Sequence, residues 1–176
     1  RVDATAGAYI EGLGSAGVAS AAKHFPGNGL VDPHHGLPRI DLGEEAFATE
    51  YLPRFASAIA HGVPAIMLSH VLVPAIDPQR PATLSPALVA GLIRARLGFE
   101  GLVLTDDLLM KALNQSPARS APEAVAAGVD LLMLSDGDLG PRVRDALVAA
   151  VRNGSLSGSR LEEAASPVND GNRTPF

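Results

Sequence analysis

The chain has 176 residues, of which 47% are hydrophobic, enough to bury one sizeable core and too few for two domains of ordinary size. Its formal net charge is -5 and no block of Lys or Arg occurs, so nucleic acid and anionic membranes are not expected as partners. No apolar run approaches the ~20 residues of a membrane span. The absence of cysteine excludes disulfides and thiolate chemistry and leaves the compartment open.

Four short apolar runs predict buried strands, because each is too short for a helix and follows a turn that contains glycine. They are residues 18–25, 65–69, 102–105 and 129–134. Only 4% of the residues are aromatic, so the core must consist of Ala, Val, Leu and Ile. This composition suits helices that pack on parallel strands.

Helical patterns lie before and between these runs. Residues 8–13 are typical of the end of a helix that stops near Gly14. Residues 84–98 give the clearest pattern, in which Ser85 is placed to cap the N-terminus and Gly98 to end the helix.

The C-terminal part of the sequence predicts further helices. Residues 140–153 form a helical pattern that stops at Gly154. The sequence Ser159-Arg160-Leu161-Glu162 matches a capping box and predicts a short final helix. Residues 166–176 are rich in Pro, Gly and Asn and are expected to form a frayed tail.

Strands that alternate with helices predict an α/β fold in which helices cover a parallel sheet. A (β/α)8 TIM-type barrel usually needs about 250 residues, so four β/α units account for about half of one. We therefore expect residues 1–165 to form a partial barrel domain. The sequence begins with neither a signal peptide nor an initiating methionine, which is typical of the middle of a longer chain. We expect a cytoplasmic protein, with a secreted or lipid-anchored form left open.

Polar residues stand at the C-terminal ends of all four predicted strands, namely His24, His70, Asp106 and Asp136. In (β/α) barrels and in open parallel sheets, this edge carries the functional site. The sequence therefore predicts a site where these strand ends meet.

Residues 23–38 contain three of the five histidines of the chain. Asp32-Pro33-His34 is expected in a loop, because Pro33 interrupts regular structure. A carboxylate beside an imidazole engages one ring nitrogen and leaves the other free, as a general acid/base requires. An ordinary Asp/His turn is the alternative that a lone Asp-x-His favours, and His35 is assigned to such a turn.

The predicted strand at residues 102–105 ends in Asp106-Asp107. Side chains alternate along a strand, so at most one of these carboxylates faces a reacting centre directly. Such a carboxylate can act as nucleophile, general base or metal ligand, or it can cap the following helix. Lys23 and His24 are candidates to hold substrate hydroxyls, although a solvated Lys beside a packed His is the simpler interpretation of that pair alone.

Together these segments resemble the family 3 glycoside hydrolases, with the bacterial β-N-acetylglucosaminidases as the nearest branch. The likeness is carried by stretches that occur in the order expected for the family: residues 23–27, 32–38, 66–71, 80–85, 104–110 and 126–130. It extends to about Glu163, and the order of the stretches makes it specific.

The resemblance implies a retaining glycosidase on a (β/α)8 barrel, of which this chain would hold the C-terminal half. It places the nucleophile on Asp106, the acid/base dyad on His34 and Asp32, and the sugar-binding pair on Lys23 and His24. The reaction would remove terminal N-acetyl-β-glucosamine through a covalent glycosyl-enzyme, without a cofactor or metal. The implied substrate is an N-acetylglucosamine-containing saccharide or muropeptide, in peptidoglycan turnover or recycling. Water and phosphate both stay open as acceptor.

The sequence departs from the family pattern at several positions. Asn28 stands where the family usually has His, and the loop between Gly29 and Asp32 is shorter. Pro33 replaces the usual Ser, and its fixed φ is expected to stiffen a loop that moves in the family. An Asp-x-Glu-Gly-Gly-type segment and a substrate-binding Arg of the earlier barrel strands have no counterpart in this sequence.

Other functions stay open on the residues alone. A metal-dependent barrel hydrolase would use His34, His35, His70 and Asp106 as ligands, although no His-x-His pair lies on a predicted strand. A catalytically inert half-barrel is the other alternative, and its open sheet edges would favour self-association.

Overall fold

The computed structural model describes residues 2–169, in which short strands alternate with helices. The strands of this part are β1 (Ala21–Phe25), β2 (Ala65–Leu68), β3 (Leu72–Val73), β4 (Asp77–Pro81), β5 (Leu102–Asp107) and β6 (Leu131–Met133). Its α-helices are α1 (Val2–Ser15), α2 (Glu44–Glu50), α3 (Leu52–Ala60), α4 (Pro117–Ala127), α5 (Gly140–Arg152) and α6 (Gly158–Asn169). A helix with π-type hydrogen bonding, here called the π-helix, spans Ala87–Arg96.

One parallel sheet holds β1, β2, β5 and β6 in that order, and these strands coincide with the four predicted apolar runs, although their ends differ by a few residues. β3 and β4 pair antiparallel in a separate hairpin. Within residues 2–169, β1 and β6 each have a neighbour on one side only. The predicted α/β fold with a parallel sheet is confirmed.

Aliphatic side chains fill the space between the sheet and its helices. Ile66, Leu68 and Val103 of the strands and Leu88 and Ile93 of the π-helix have 0% exposure. Burial of each such side chain contributes on the order of 1.5–3 kcal/mol. The central strands β2 and β5 are covered along most of their length, which explains why their sequences are nearly continuous apolar runs.

The helix ends agree with the sequence in part. Gly98 and Gly154 have φ of 65° and 79°, a conformation that glycine adopts without strain, and they follow the π-helix and α5 as predicted. The Ser85 hydroxyl accepts a hydrogen bond from the Leu88 amide at 3.3 Å. The helix that follows begins at Ala87, so the predicted helix is confirmed, and its hydrogen bonding is of π-type.

The final helix is longer than the sequence suggests. Because α6 begins at Gly158, Ser159 lies inside its first turn, and the predicted capping box is wrong. The Ser159 hydroxyl instead hydrogen-bonds the Ser157 hydroxyl at 2.6 Å. Helix α6 continues to Asn169, and residues 170–176 of the predicted tail lie outside the described residues.

Candidate active site

His24 and Asp106 meet at the C-terminal edge of the parallel sheet. They lie at the ends of β1 and β5, which flank β2 in the sheet. β2 ends at Leu68 and therefore does not separate the two side chains. His24 Nε2 is 3.5 Å from Asp106 Oδ2, and the two side chains are only 23% and 10% exposed. Two residues far apart in the sequence therefore form one largely buried pair.

A bulge in β1 sets the direction of the His24 side chain. Lys23 pairs with Met67, and Phe25 pairs with the next residue, Leu68, so His24 is the extra residue of β1. Bulges often redirect a side chain beside a functional site. Here the bulge leaves His24 outside the regular pairing, where it faces Asp106.

The neighbouring carboxylates of β5 have different surroundings. Asp107 Oδ1 accepts hydrogen bonds from the amides of Leu109 at 3.1 Å and Ser135 at 3.2 Å. Burial raises the Asp107 pKa, but hydrogen bonds from Ser135 and Leu109 outweigh burial, so the pKa is lowered overall. Asp107 therefore joins the ends of β5 and β6, whereas Asp106 faces the cleft.

Asp32 and His34 form a hydrogen-bonded pair on the loop after β1. His34 Nδ1 is 2.7 Å from Asp32 Oδ1, and the same oxygen accepts the His34 amide at 2.9 Å. The His34 backbone bond, followed by the side-chain bond, lowers the Asp32 pKa. An ionised carboxylate can only accept hydrogen bonds, so Nδ1 of His34 carries a proton. The other ring nitrogen, Nε2, takes no part in this contact. His35 lies farther from the carboxylate, with Nε2 3.9 Å from Asp32 Oδ2.

Backbone contacts hold this loop against the rest of the edge. The Ala112 amide, beyond β5, donates to the Pro33 carbonyl at 3.0 Å. A side chain at Gly29, where φ is 61°, would come within 2.6 Å of the Arg39 carbonyl oxygen, so the turn requires glycine. The loop that carries Asp32 and His34 is thus attached to the segment that follows Asp106.

The predicted catalytic residues line one cavity of about 530 Å³. Its lining includes His24, Asn28, Asp32, His34 and Asp106. Several polar groups that converge on one concavity are typical of a ligand site.

Lys23 is not among the residues that line this cavity. It lines an adjoining cavity of about 740 Å³ beside the free edge of β1, together with Tyr9, Tyr51 and Arg54. His24 and Asn28 line both cavities, so the two spaces are neighbours. Both members of the proposed sugar-binding pair therefore line the larger cavity, and only His24 also lines the smaller one.

His70 is a buried residue beside the candidate site whose structural role the sequence did not predict. It is 0% exposed, its Nδ1 is 2.7 Å from the Thr83 hydroxyl, and its Nε2 is 2.9 Å from the Asp107 carbonyl oxygen. Burial lowers the His70 pKa, while the Asp107 carbonyl and the nearby carboxylates oppose that shift. The bond to Asp107 makes Nε2 the donor, and His70 thereby joins the end of β2 to the end of β5.

The ligands expected for a metal-dependent hydrolase are not grouped together in the described residues. Both nitrogens of His70 are engaged in the hydrogen bonds just described. Among residues 2–169, no three or more His, Cys, Asp or Glu side chains are grouped as metal ligands would be. Asp136, the remaining strand-end candidate, accepts the Asp138 amide at 3.0 Å and stabilises a turn.

Comparisons with known proteins give the family. The profile described as "Glycosyl hydrolase family 3 N terminal domain" matches residues 1–170. A Beta-hexosaminidase of Chromobacterium violaceum is 36% identical over 154 residues, which cover 85% of this chain and 42% of that protein. A similar protein of the same name from Stenotrophomonas maltophilia is 36% identical over 91% of this chain and 48% of its own length.

Solved structures share the fold. A glycoside hydrolase family 3 beta-N-acetylglucosaminidase from Paenibacillus sp. superposes with a TM-score of 0.88 at 39% identity, over 92% of this chain and 32% of that one. The chain spans less than half the length of these relatives. No helix in the described part of the chain is long and apolar enough to cross a bilayer. The match over nearly all of its length shows that the chain belongs to glycosyl hydrolase family 3.

Proposed function

We propose that this chain carries the nucleophile and the acid/base dyad of a retaining β-N-acetylglucosaminidase, which removes terminal N-acetyl-β-glucosamine. The observation that supports it best is the shared cavity: Asp106 from β5 and the Asp32–His34 pair from the loop after β1 line the same space. A carboxylate nucleophile and a separate proton donor are the groups that retaining hydrolysis needs. The relatives named for this activity support the same substrate.

In the first step, Asp106 attacks the anomeric carbon and forms an ester with the sugar. His34, protonated at both nitrogens, donates its Nε2 proton to the departing glycosidic oxygen. The Asp32 carboxylate, 2.7 Å from Nδ1, stabilises the charged ring and fixes its orientation. The leaving group departs as a neutral alcohol, and His34 becomes neutral.

In the second step, His34 acts as a base. Its free Nε2 takes a proton from an incoming water molecule, whose oxygen attacks the anomeric carbon and releases Asp106 as a carboxylate. The ring returns to its charged form, and the net stereochemistry is retained. With phosphate as acceptor in place of water, the same ester would be released as a sugar phosphate.

Lys23 and His24 would hold the sugar from the edge of β1. His24 lines both cavities and contacts Asp106, and Lys23 extends into the adjoining one. The substrate would be an N-acetylglucosamine-containing saccharide or a muropeptide in cytoplasmic peptidoglycan recycling. The remaining contacts to the sugar would come from the other half of a closed barrel, which would pair with the free edges of β1 and β6.

A chimera tests this proposal. The chain would replace the matching segment of the Chromobacterium violaceum protein, and the product would be assayed on an aryl N-acetyl-β-glucosaminide. We expect turnover that is abolished by Asp106→Asn and largely kept by Asp107→Asn, the matched control on the same strand. A folded chimera that shows no turnover, or one that loses activity only with Asp107→Asn, would overturn the assignment.

A further inference from the structure

Asn28 contacts the proposed site without taking part in the proposed reaction. It follows the Pro-Gly turn after β1, and its Nδ2 lies 3.3 Å from His24 Nδ1. The other ring nitrogen of His24, Nε2, faces Asp106 Oδ2 at 3.5 Å. The imidazole of His24 is therefore held between an amide and the proposed nucleophile.

Proton counting assigns the role of each atom. An ionised Asp106 only accepts, so the contact with His24 is attractive only if Nε2 carries a proton. A neutral imidazole has one N–H, which leaves Nδ1 of His24 as an acceptor. The only donor of the Asn28 side chain is its Nδ2 amide, and this is the atom that faces Nδ1.

The neutral ring is the form that the surroundings favour. Partial burial lowers the His24 pKa, Asp106 opposes this shift, and the neighbouring charge of Lys23 adds to it. His70, on the adjoining strand end, is the other titratable group that interacts with His24. With the opposite tautomer, the bare Nε2 of His24 would face the Asp106 carboxylate, and two lone pairs would repel each other.

We propose that Asn28 is a positioning residue that fixes His24 as the Nε2–H tautomer, so that the ring donates to Asp106 Oδ2. The inference rests on the proposed function for its catalytic meaning. Asp106 Oδ1 already accepts the Asp107 amide at 2.9 Å. With Oδ1 bonded to the Asp107 amide and the N–H of His24 3.5 Å from Oδ2, the carboxylate would be held in one orientation for attack, which is the positioning that retaining hydrolysis requires.

Nitrogen-15 NMR of the histidine rings in this chain measures the tautomer directly, without substrate. The His24 signals are assigned by their loss in His24→Gln. In the unsubstituted chain at neutral pH, we expect a protonated Nε2 and a bare Nδ1. Asn28→Asp replaces the amide donor by an acceptor of the same shape, so Nδ1 should become protonated. Asn28→Leu keeps the size and removes the donor, so the ring should populate both tautomers.

Asn153→Asp serves as the matched control, because Asn153 accepts the Ser155 amide at a distant turn and should leave His24 unchanged. A bare Nε2 in the unsubstituted chain would overturn the inference, whatever the variants do. A bare Nδ1 that persists in Asn28→Asp, together with an unchanged Nε2–H population in Asn28→Leu, would also overturn it. The NMR experiment measures the His24 tautomer without turnover, so its result can be interpreted even if the glycosidase proposal fails.

Discussion

At the scale of single residues, the adjacent carboxylates of Asp106 and Asp107 have different contacts. Asp107 accepts hydrogen bonds from the amides of Leu109, which follows β5, and Ser135, which follows β6, and so joins the ends of these two strands. Asp106 has one oxygen on the Asp107 amide and the other beside His24. Since neighbouring side chains of a strand point in opposite directions, one Asp can stabilise the edge while the other faces the cleft.

His34→Ala separates the two steps of the proposed reaction. An activated aryl leaving group needs little protonation, so formation of the glycosyl-enzyme should change by less than about tenfold. Its hydrolysis should slow by about 10²- to 10⁴-fold, because the base for water is lost. Pre-steady-state kinetics of the chimera should therefore show a burst of aglycone followed by slow turnover.

The control for His34→Ala is a poorly activated alkyl glycoside, on which the first step should slow as well. His35→Ala provides the neighbouring control, since the His35 ring lies 3.9 Å from Asp32 and is 76% exposed. Equal slowing of the first step on activated and unactivated substrates would count against His34 as the proton donor.

The residues of the site differ in how far the sequence predicts them. Asp32 and His34 are neighbours in the chain, so their pairing follows from local spacing. The contact between His24 and Asp106 depends on the strand order, and the sequence gives only the expectation that both lie at the same sheet edge. The sequence does not predict that Lys23 lines only the adjoining cavity, because the shape of the two cavities depends on residues distant in the chain.

At the scale of elements, His70 connects the end of β2 to the end of β5. Since burial lowers its pKa in the folded state, the unfolded chain binds a proton at a higher pH than the folded chain does. Stability is therefore full above about pH 6.5, the ordinary value for histidine, and falls as the pH drops below it. His24, whose pKa is lowered by partial burial, contributes in the same direction.

His70→Gln should flatten this acid dependence. The variant retains an amide donor for the Asp107 carbonyl but binds no proton, so the slope of unfolding free energy against pH should decrease by up to about 1.4 kcal/mol per pH unit. Urea unfolding between neutral pH and mildly acidic pH measures it. Leu88→Ala is the control, because it removes buried apolar volume and lowers stability without changing the slope. An unaltered slope in His70→Gln would contradict the account.

The strands could be predicted from the sequence where their side chains are buried, because buried strands appear as apolar runs. The four strands of the parallel sheet are apolar because they are covered by other elements, and the sequence shows them. The β3–β4 hairpin was missed because Asp77–Pro81 is polar, largely exposed and begins and ends near prolines, which weakens any strand pattern. The apolar positions of the π-helix predict a helix but do not distinguish π-type from α-type hydrogen bonding.

At the scale of the whole molecule, a buried ion network holds the opposite edge of the sheet. Asp130 precedes β6, is 3% exposed at its side chain, and accepts Arg160 at 2.7 Å and the Val103 amide at 3.0 Å. Arg94 of the π-helix binds the same carboxylate and also donates to the Phe99 carbonyl at 3.0 Å. The network thus joins the π-helix, β5, β6 and α6.

Asp130→Ala should lower the free energy of unfolding by about 3–5 kcal/mol, since it removes the buried carboxylate that two partly buried guanidinium groups share. Chemical denaturation measures the loss. Asp145→Ala is the matched control, because its pair with Arg144 is exposed and should be worth less than about 1 kcal/mol. Equal effects of the two substitutions would show that Asp130 is not central to stability.

The open edges of the sheet bear on activity. In the described residues, β1 and β6 each lack one neighbour, and Lys23 lies in the cavity beside the free edge of β1. We expect the chain by itself to bind sugar weakly and to self-associate, because sugar contacts from a complementary half would be missing and unpaired strand edges attract other chains. Light scattering and an aryl-glycoside assay test this together. A monomer as active as the chimera would contradict it.

Covalent trapping tests the central claim most directly. A ring-fluorinated N-acetylglucosaminyl fluoride slows both steps, while its good leaving group allows the first, so the glycosyl ester accumulates even when binding is weak. The account predicts that peptide mass spectrometry of the treated chain and of the chimera will locate the sugar on Asp106, and that Asp106→Asn will remain unlabelled. Labelling of Asp107 with Asp106 untouched, or the absence of any label in a folded chimera, would contradict it.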